Sequence, residues 1–301
     1  RIRHPKVNEQ ATSPTQQATG IFLVVLSAVL TAVVPTSARL AYDAGATTLT
    51  VLSARGIIAV AVLSLAMLAM GQSFAMRRKA LLACLFAGIA YLFMAYGYIG
   101  SVAHIPVSLA VLIYFTHPLL LALIAHLRRT ERMNGPRISL AIAVMLGLTL
   151  ALGPELAVLD PVGVALAVLA SVAVCALILF AVEAQKGASS TQIMVYSSLV
   201  TSVVFSVLTT GVGAWSMPVS TLGWIGLLLA GLGSALGLLA FFAAFRYISP
   251  VRATMISNLE PLLGVLIAVA VLGERLAGWQ WLGVGVVVAG LVLFEKASGK
   301  E

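Results

Sequence analysis

Three ionisable side chains stand near the middle of long apolar runs in this 301-residue chain: Arg55, His117 and Glu260. At the centre of a bilayer such a group costs at least about 2.5–3.5 kcal/mol on insertion scales, so each asks for a partner or a purpose. His117 and Glu260 are 143 positions apart, and each immediately precedes a proline, Pro118 and Pro261. Proline removes a backbone donor and frees the carbonyl four residues earlier, which opens the helix locally. Freed backbone groups are tolerated in lipid only where protein or a water-filled cavity satisfies them. Two such breaks at matching depth point to a central substrate-binding site. The plainer alternative is a pair of packing kinks whose polar side chains are held by neighbours.

Helical spacing adds candidates around these anchors. Tyr114 lies three residues before His117 on the same helix face, Ser257 holds the matching place before Glu260, and Asn258 is adjacent. Tyr91, Tyr96, Phe241 and Phe242 could supply an aromatic cavity wall, or serve only as packing or lipid-facing rings. Arg55 could reach Glu260 as a buried ion pair, which would keep the carboxylate charged. Left unpaired, Glu260 could take up a coupling proton.

The elements that must position these residues are membrane spans. Hydrophobic residues make up 61% of the chain, charged residues 9%, and the mean hydropathy is +1.08. A soluble domain carries about 25% charge, so the solvent of this chain is mostly lipid. Ten apolar runs of spanning character occur near 18–37, 46–70, 80–99, 104–127, 138–152, 162–181, 190–212, 220–245, 252–272 and 279–294. Placing the N-terminus in the cytoplasm puts all but three of the 18 Lys and Arg on the cytoplasmic side or tails. The exceptions are Arg39 and Arg275 outside, and Arg55 within a span. The net charge of +8 is therefore a topology signal, not a nucleic-acid stripe. Cys84 and Cys175 lack ligand spacing and read as small buried hydrophobes, so neither a metal nor another cofactor is expected. HExxH, GxSxG and GxxxxGK[ST] motifs are absent, which disfavours a membrane-embedded enzyme and an ATP-driven pump.

The 143-residue offset extends well beyond the prolines. Glu131/Glu274, Arg132/Arg275 and Gly147/Gly290 are identical pairs, and the same shift carries Gly20 onto Gly163. Five spans per repeat is an odd number, so the second copy is threaded in the opposite sense, about a pseudo-two-fold axis in the membrane plane. The expected fold is all-α and integral to the membrane, with ten transmembrane helices as two inverted five-helix repeats. Residues 18–152 and 161–295 form the repeats, 1–17 a disordered cytoplasmic tail, and 296–301 a second cytoplasmic tail. Thr36-Ser37-Ala38 looks like a signal-peptidase site, but the first run has a repeat partner and so belongs to the fold. Trp215, Trp224, Trp279 and Trp281 fit an interfacial belt. Gly283, Gly285 and Gly290 suit close packing of the last helix, inside one monomer or in a weak homodimer.

The segment NLEPLLGVLIAVAVLGERLAGWQWLGVGVVVAGLVLF at 258–294 resembles the EamA-type branch of the drug/metabolite transporter superfamily, as does its weaker copy THPLLLALIAHLRRTERMNGPRISLAIAVMLGLTL at 116–150. The family pattern is a proline in the fourth helix of each half, a Gly-Glu-Arg turn, and a Gly-rich fifth helix. LSARGIIAVAVL at 52–63 is similar to the second family helix, with Arg55 at its usual arginine. The first copy departs at Arg129-Thr130-Glu131-Arg132, and the first helix has Val33-Val34-Pro35 where Trp-Gly is common. The resemblance implies a small-molecule carrier of the cell (inner) membrane, usually an exporter. With a single central cation, a neutral or zwitterionic metabolite such as an amino acid is the expected substrate, with hydrophobic or cationic drugs as the alternative.

Overall fold

The computed structural model describes residues 14–101, 104–105, 110, 113–128, 135–152, 160–272 and 277–298. Among these residues every regular element is a helix: α1 (Pro14–Asp43), α2 (Thr48–Ala69), α3 (Arg78–Ser101), α4 (His117–Leu127), α5 (Gly135–Leu152), α6 (Pro161–Ala184), α7 (Ser190–Gly211), α8 (Thr221–Ala244), α9 (Pro250–Ile256), α10 (Leu259–Leu272) and α11 (Gly278–Ser298). α1, α2, α3, α6, α7 and α8 are long and apolar enough to cross a membrane, and α4, α5 and α11 contain shorter apolar helices. The ninth expected span is present as two pieces, α9 and α10, interrupted at Ser257–Asn258. α1 begins at Pro14, so residues 14–17 of the expected tail form its first turn, while 1–13 lie outside the described residues. The Glu131-Arg132 and Glu274-Arg275 turns also lie outside them.

Helix starts follow the sequence chemistry. Thr47, Ser189, Ser220 and Ser249 each cap an N-terminus with a side-chain oxygen, and Ser189 with Gln192 completes a capping box. Asp160 caps α6 by accepting from the Val162 N–H at 2.8 Å, with Pro161 at the first turn where no donor is missed. His104 Nδ1 lies 3.0 Å from the other Asp160 oxygen. The Val162 N–H first, and then His104, hold the Asp160 carboxyl below its ordinary pKa.

Small residues line much of the helix-to-helix contact in the bundle. Along α8 the buried face is Gly223, Gly226, Ala230, Gly233 and Gly237, while Leu222, Ile225, Leu228 and Leu229 face out. Lipid is as apolar as leucine, so helices associate through close backbone approach, and small residues allow it. A Cβ on Gly233 would lie 2.6 Å from the Leu30 carbonyl oxygen, and one on Gly97 2.7 Å from the Leu166 carbonyl oxygen. In α11, Gly283 meets the Ala151 backbone and Gly290 meets Val144, both on α5, whereas Gly285 faces open space.

Contacts repeat with the sequence. Gly20 lies beneath Tyr247 and Ile248, and Gly163 lies beneath His104 and Ile105. Every residue of the second contact is related to one of the first by 143 positions. Gly147 against Val287 and Gly290 against Val144 form another such exchange. The main helix pairs accordingly join the two halves: α1 with α8, α3 with α6, α2 with α7, and α5 with α11. The loops obey the same rule. Gln192 Nε2 and the Tyr196 hydroxyl at the start of α7 hold the Ser73 and Phe74 carbonyls at 2.7 and 3.0 Å. Thr47 and Thr50 at the start of α2 hold Ala214 and Ser216.

Gly233→Ala places a methyl group against backbone that cannot yield, and should cost about 1–3 kcal/mol. Gly285→Ala should be neutral. Thermal unfolding of the two variants in the same lipid nanodiscs compares them, and equal melting points would refute the packing argument. Asp160 gives a second prediction. Because its folded pKa lies below the unfolded value of about 3.9, its contribution is complete above that value and is lost as pH falls through the folded one. Asp160→Asn keeps an N-cap acceptor, so its acid melting curve should be flatter than that of the wild type.

Candidate binding site at the paired helix breaks

Pro118 has no N–H for the Tyr114 carbonyl, and the helix accordingly restarts after a turn at Phe115–Thr116. The carbonyl is not left bare: His117 Nδ1 donates to it at 3.0 Å. That bond fixes a neutral His117 as the Nδ1–H tautomer and leaves Nε2 as an acceptor. Thr116 Oγ1 donates to the Ile113 carbonyl at 2.7 Å and, its one hydrogen spent, accepts from the Ser171 hydroxyl at 2.9 Å. His117 is 3% exposed. Its ring lies 5.1 Å from that of Tyr114, which is 4.8 Å from Tyr98 and 5.1 Å edge-on from Phe115.

The second break uses other side chains for the same task. Pro261 frees the Ser257 carbonyl, which accepts instead from the Glu260 N–H at 2.9 Å. Ser257 Oγ donates to the Thr254 carbonyl at 2.8 Å, and Asn258 Nδ2 to the Met255 carbonyl at 2.9 Å. Asn258 is 1% exposed, and its Oδ1 has no partner. The Thr31 hydroxyl lies within hydrogen-bonding reach of the Glu260 carboxyl, and Arg55 acts on it electrostatically. Among the described residues no direct ion pair joins Arg55 to Glu260, and the Arg55 Nε–H is buried without an acceptor.

The two breaks belong to one neighbourhood. α4 packs on α6 and α9, and α10 packs on α1. Tyr98 lies within electrostatic range of both Glu260 and Arg55, and Tyr114 within range of Glu260 and Tyr91. The structure therefore brings His117, Tyr114, Tyr91, Arg55, Ser257, Asn258 and Glu260 together. It does not bring in the other three aromatic candidates. Tyr96 is 54% exposed and sits in an apolar surface groove with Leu92, Phe93 and Leu208. Phe241 and Phe242 pack with Phe245, and the Phe242 carbonyl accepts from Gln185 Nε2 at 2.6 Å, so their role is core packing. The third-helix ring that does reach the site is Tyr98, seven residues from Tyr91 and so on its helical face. Thr31 also went unmarked, although a hydroxyl inside an apolar run was its signal. Among the described residues no group of three or more His, Cys, Asp or Glu is placed to hold a metal ion.

A helical bundle of two repeats, with polar groups gathered at two interrupted helices, defines a membrane transporter, and the comparisons with known proteins are consistent with that class. The sequence profile of the EamA-like transporter family matches residues 18–153 and 161–295, and the chain belongs to that family. A Sinorhizobium protein described as "Uncharacterized transporter in cobO 3'region" is 30% identical over 92 residues, 30% of this chain. That match spans 65% of the relative's own length. A crystal structure described only as "Crystal structure of protein" superposes with a TM-score of 0.77 at 17% identity, over 93% of this chain and 98% of the other. That likeness shows the fold.

The His117 bond generates a test. His117→Phe keeps a ring but leaves the Tyr114 carbonyl without its donor, at an expected cost of about 1–3 kcal/mol. His117→Asn restores an N–H donor and should recover part of the loss. Melting curves in nanodiscs measure both, and a phenylalanine variant as stable as wild type would show that the carbonyl does not depend on the imidazole.

Proposed function

We propose that the chain is a secondary active carrier that works by alternating access and exports a small neutral or zwitterionic metabolite such as an amino acid. It resides in the cell (inner) membrane with both termini in the cytoplasm, acts as a monomer or weak homodimer, and performs no catalysis. One observation carries this reading: the two interrupted helices, one from each half, meet around a buried set of unlike polar groups. The site offers an anion or proton acceptor at Glu260, an unpaired acceptor at Asn258 Oδ1, and a cation at Arg55. A zwitterion matches both signs, and a neutral polar solute matches the hydrogen-bonding groups. Inverted halves supply the movement, because each can close one side in turn.

Glu260 is the candidate for the coupling proton, since Thr31 can serve both of its protonation states. With its hydrogen on the Ser27 carbonyl at 2.8 Å, the Thr31 oxygen accepts from a protonated carboxyl. With that hydrogen turned about the Cβ–Oγ1 bond, it donates to a carboxylate. Export of hydrophobic or cationic drugs is the second reading, favoured by the clustered Tyr98, Tyr114 and Phe115 rings beside an acidic group, a setting that attracts organic cations.

The test is counterflow in proteoliposomes against a panel of amino acids, other metabolites and hydrophobic cations, with and without a pH gradient. Exchange of amino acids is the expected result, and movement of hydrophobic cations alone would select the second reading. Glu260→Gln should abolish the effect of the pH gradient on transport. A variant that keeps that dependence would remove Glu260 as the proton site.

A further inference from the structure

Arg55 and Ser198 are the same position of the two repeats, 143 residues apart, and both border one cavity between α2, α3 and α7. The cavity measures about 20 Å³ and is walled by Arg55, Gly56, Tyr91, Ser198, Thr201 and Phe205. Room for one water begins at about 10–15 Å³, so the space takes a single small group and not a whole solute. Two of the wall's buried polar atoms have no partner: Arg55 Nε and Ser198 Oγ, the latter on a residue only 1% exposed. Thr201 does not satisfy Ser198 Oγ, because it donates to the Ser198 backbone carbonyl at 3.0 Å.

The chemistry on offer leans toward donation. A guanidinium N–H can only donate, while the serine hydroxyl can donate or accept. A half-buried cation with an idle Nε–H, beside an idle hydroxyl, suits an acceptor that carries negative charge, and a carboxylate is the small group that best fits a guanidinium. Glu260 does not fill this role, because among the described residues it makes no ion pair with Arg55. Gly56 keeps the cavity narrow: a Cβ there would lie 2.8 Å from the Ser202 Cα, so α2 and α7 are in backbone contact beside it.

We infer that Arg55 and Ser198 form a subsite for the carboxylate of a small amphoteric or acidic solute, built where the two repeats face each other. The inference rests on the carrier reading above and sharpens its substrate class. Tyr91 connects this subsite to the main site, since it lines the cavity and lies within electrostatic range of Tyr114. A zwitterion bound across both places its carboxylate between Arg55 and Ser198 and its ammonium toward Glu260 and Asn258 Oδ1.

Binding can be read without transport. The full chain in nanodiscs is melted in rising sodium propionate, with propionamide as the uncharged isostere and sodium chloride holding ionic strength constant. The wild type should gain a saturable rise in melting temperature from propionate and none from propionamide. Arg55→Gln should lose the response. Ser198→Ala should weaken propionate binding roughly tenfold, as loss of a hydrogen bond to a charged group does, and Ser198→Thr should retain most of it. Equal responses to the two probes, no response in the wild type, or an undiminished response in Ser198→Ala would each overturn the subsite and leave the cavity to a trapped water. Should Arg55→Gln fail to fold, the two Ser198 variants still decide the matter. Absent counterflow with a positive propionate response would refute the carrier reading alone; counterflow without that response would refute only the subsite.

Discussion

Backbone hydrogen bonds have no substitute in hydrocarbon, and this constraint governs the whole chain. A membrane helix is safe because each carbonyl finds the N–H four residues on. Pro118 and Pro261 break that rule at equivalent places in the two halves. The structure repairs each break with groups close by in sequence: the imidazole of His117 for the Tyr114 carbonyl, the Glu260 N–H for the Ser257 carbonyl, and Ser257 and Asn258 for the carbonyls just before. These repairs concentrate polar atoms in a region that would otherwise be dry. Once there, such atoms attract others, and Thr31, Thr116, Ser171 and Arg55 all gather within reach. The polar centre is thus the consequence of satisfying two interrupted helices, and its surplus donors and acceptors are what a solute can use.

A site of this kind has to be held by walls that can approach closely yet part again. Small residues meet both needs. Gly97 on α3 admits the α6 backbone, and Gly233 on α8 admits that of α1. At these contacts the neighbouring large side chains, such as Leu222, Ile225, Leu228 and Leu229 on α8, are turned outward. The principal helix pairs join one half to the other, and each of these contacts contains a glycine in close approach. The covalent repeat therefore does not correspond to two separate lobes. The halves interleave, and the symmetry axis runs through their mutual contacts at α2–α7 and α5–α11.

Much of this is legible in the letters. The 143-residue offset is a statement about contacts: Gly20 and Gly163 recur because each must lie beneath a chain reversal, Tyr247–Ile248 in one case and His104–Ile105 in the other. The helix breaks are legible because a proline within an apolar run leaves the carbonyl four residues earlier without its donor, and the same offset repeats it in both halves. The faces of the helices are less so. In a soluble protein an apolar stripe marks the inside, but here both faces are apolar, and small or polar residues are the better mark of the inside. Tyr96 and Tyr98 could not be told apart on hydrophobicity. Period from Tyr91 decides between them, and Tyr98 is the one that reaches the site. Phe241 and Phe242 were candidates by type alone, and the Phe245 ring that claims them for the core lies outside any motif. Ser198 was the hidden case: an ordinary serine in an apolar helix until the repeat aligns it with Arg55.

That alignment bears on how the chain departs from its own symmetry. The helices repeat, yet many side chains do not, and three of the differences fall among the polar groups discussed above. His117 stands opposite Glu260, Val174 opposite Thr31, and Ser198 opposite Arg55. Each exchange gives one half an ionisable or hydroxyl group where the other has something different. A symmetric pair of charged groups would place two like charges close together in a medium that screens them poorly. Divergence avoids that repulsion and leaves unlike groups at the related positions of the two halves. Symmetry of backbone relates the two halves, and asymmetry of side chain gives their polar centre its unlike groups: an imidazole, a carboxyl, a guanidinium and hydroxyls.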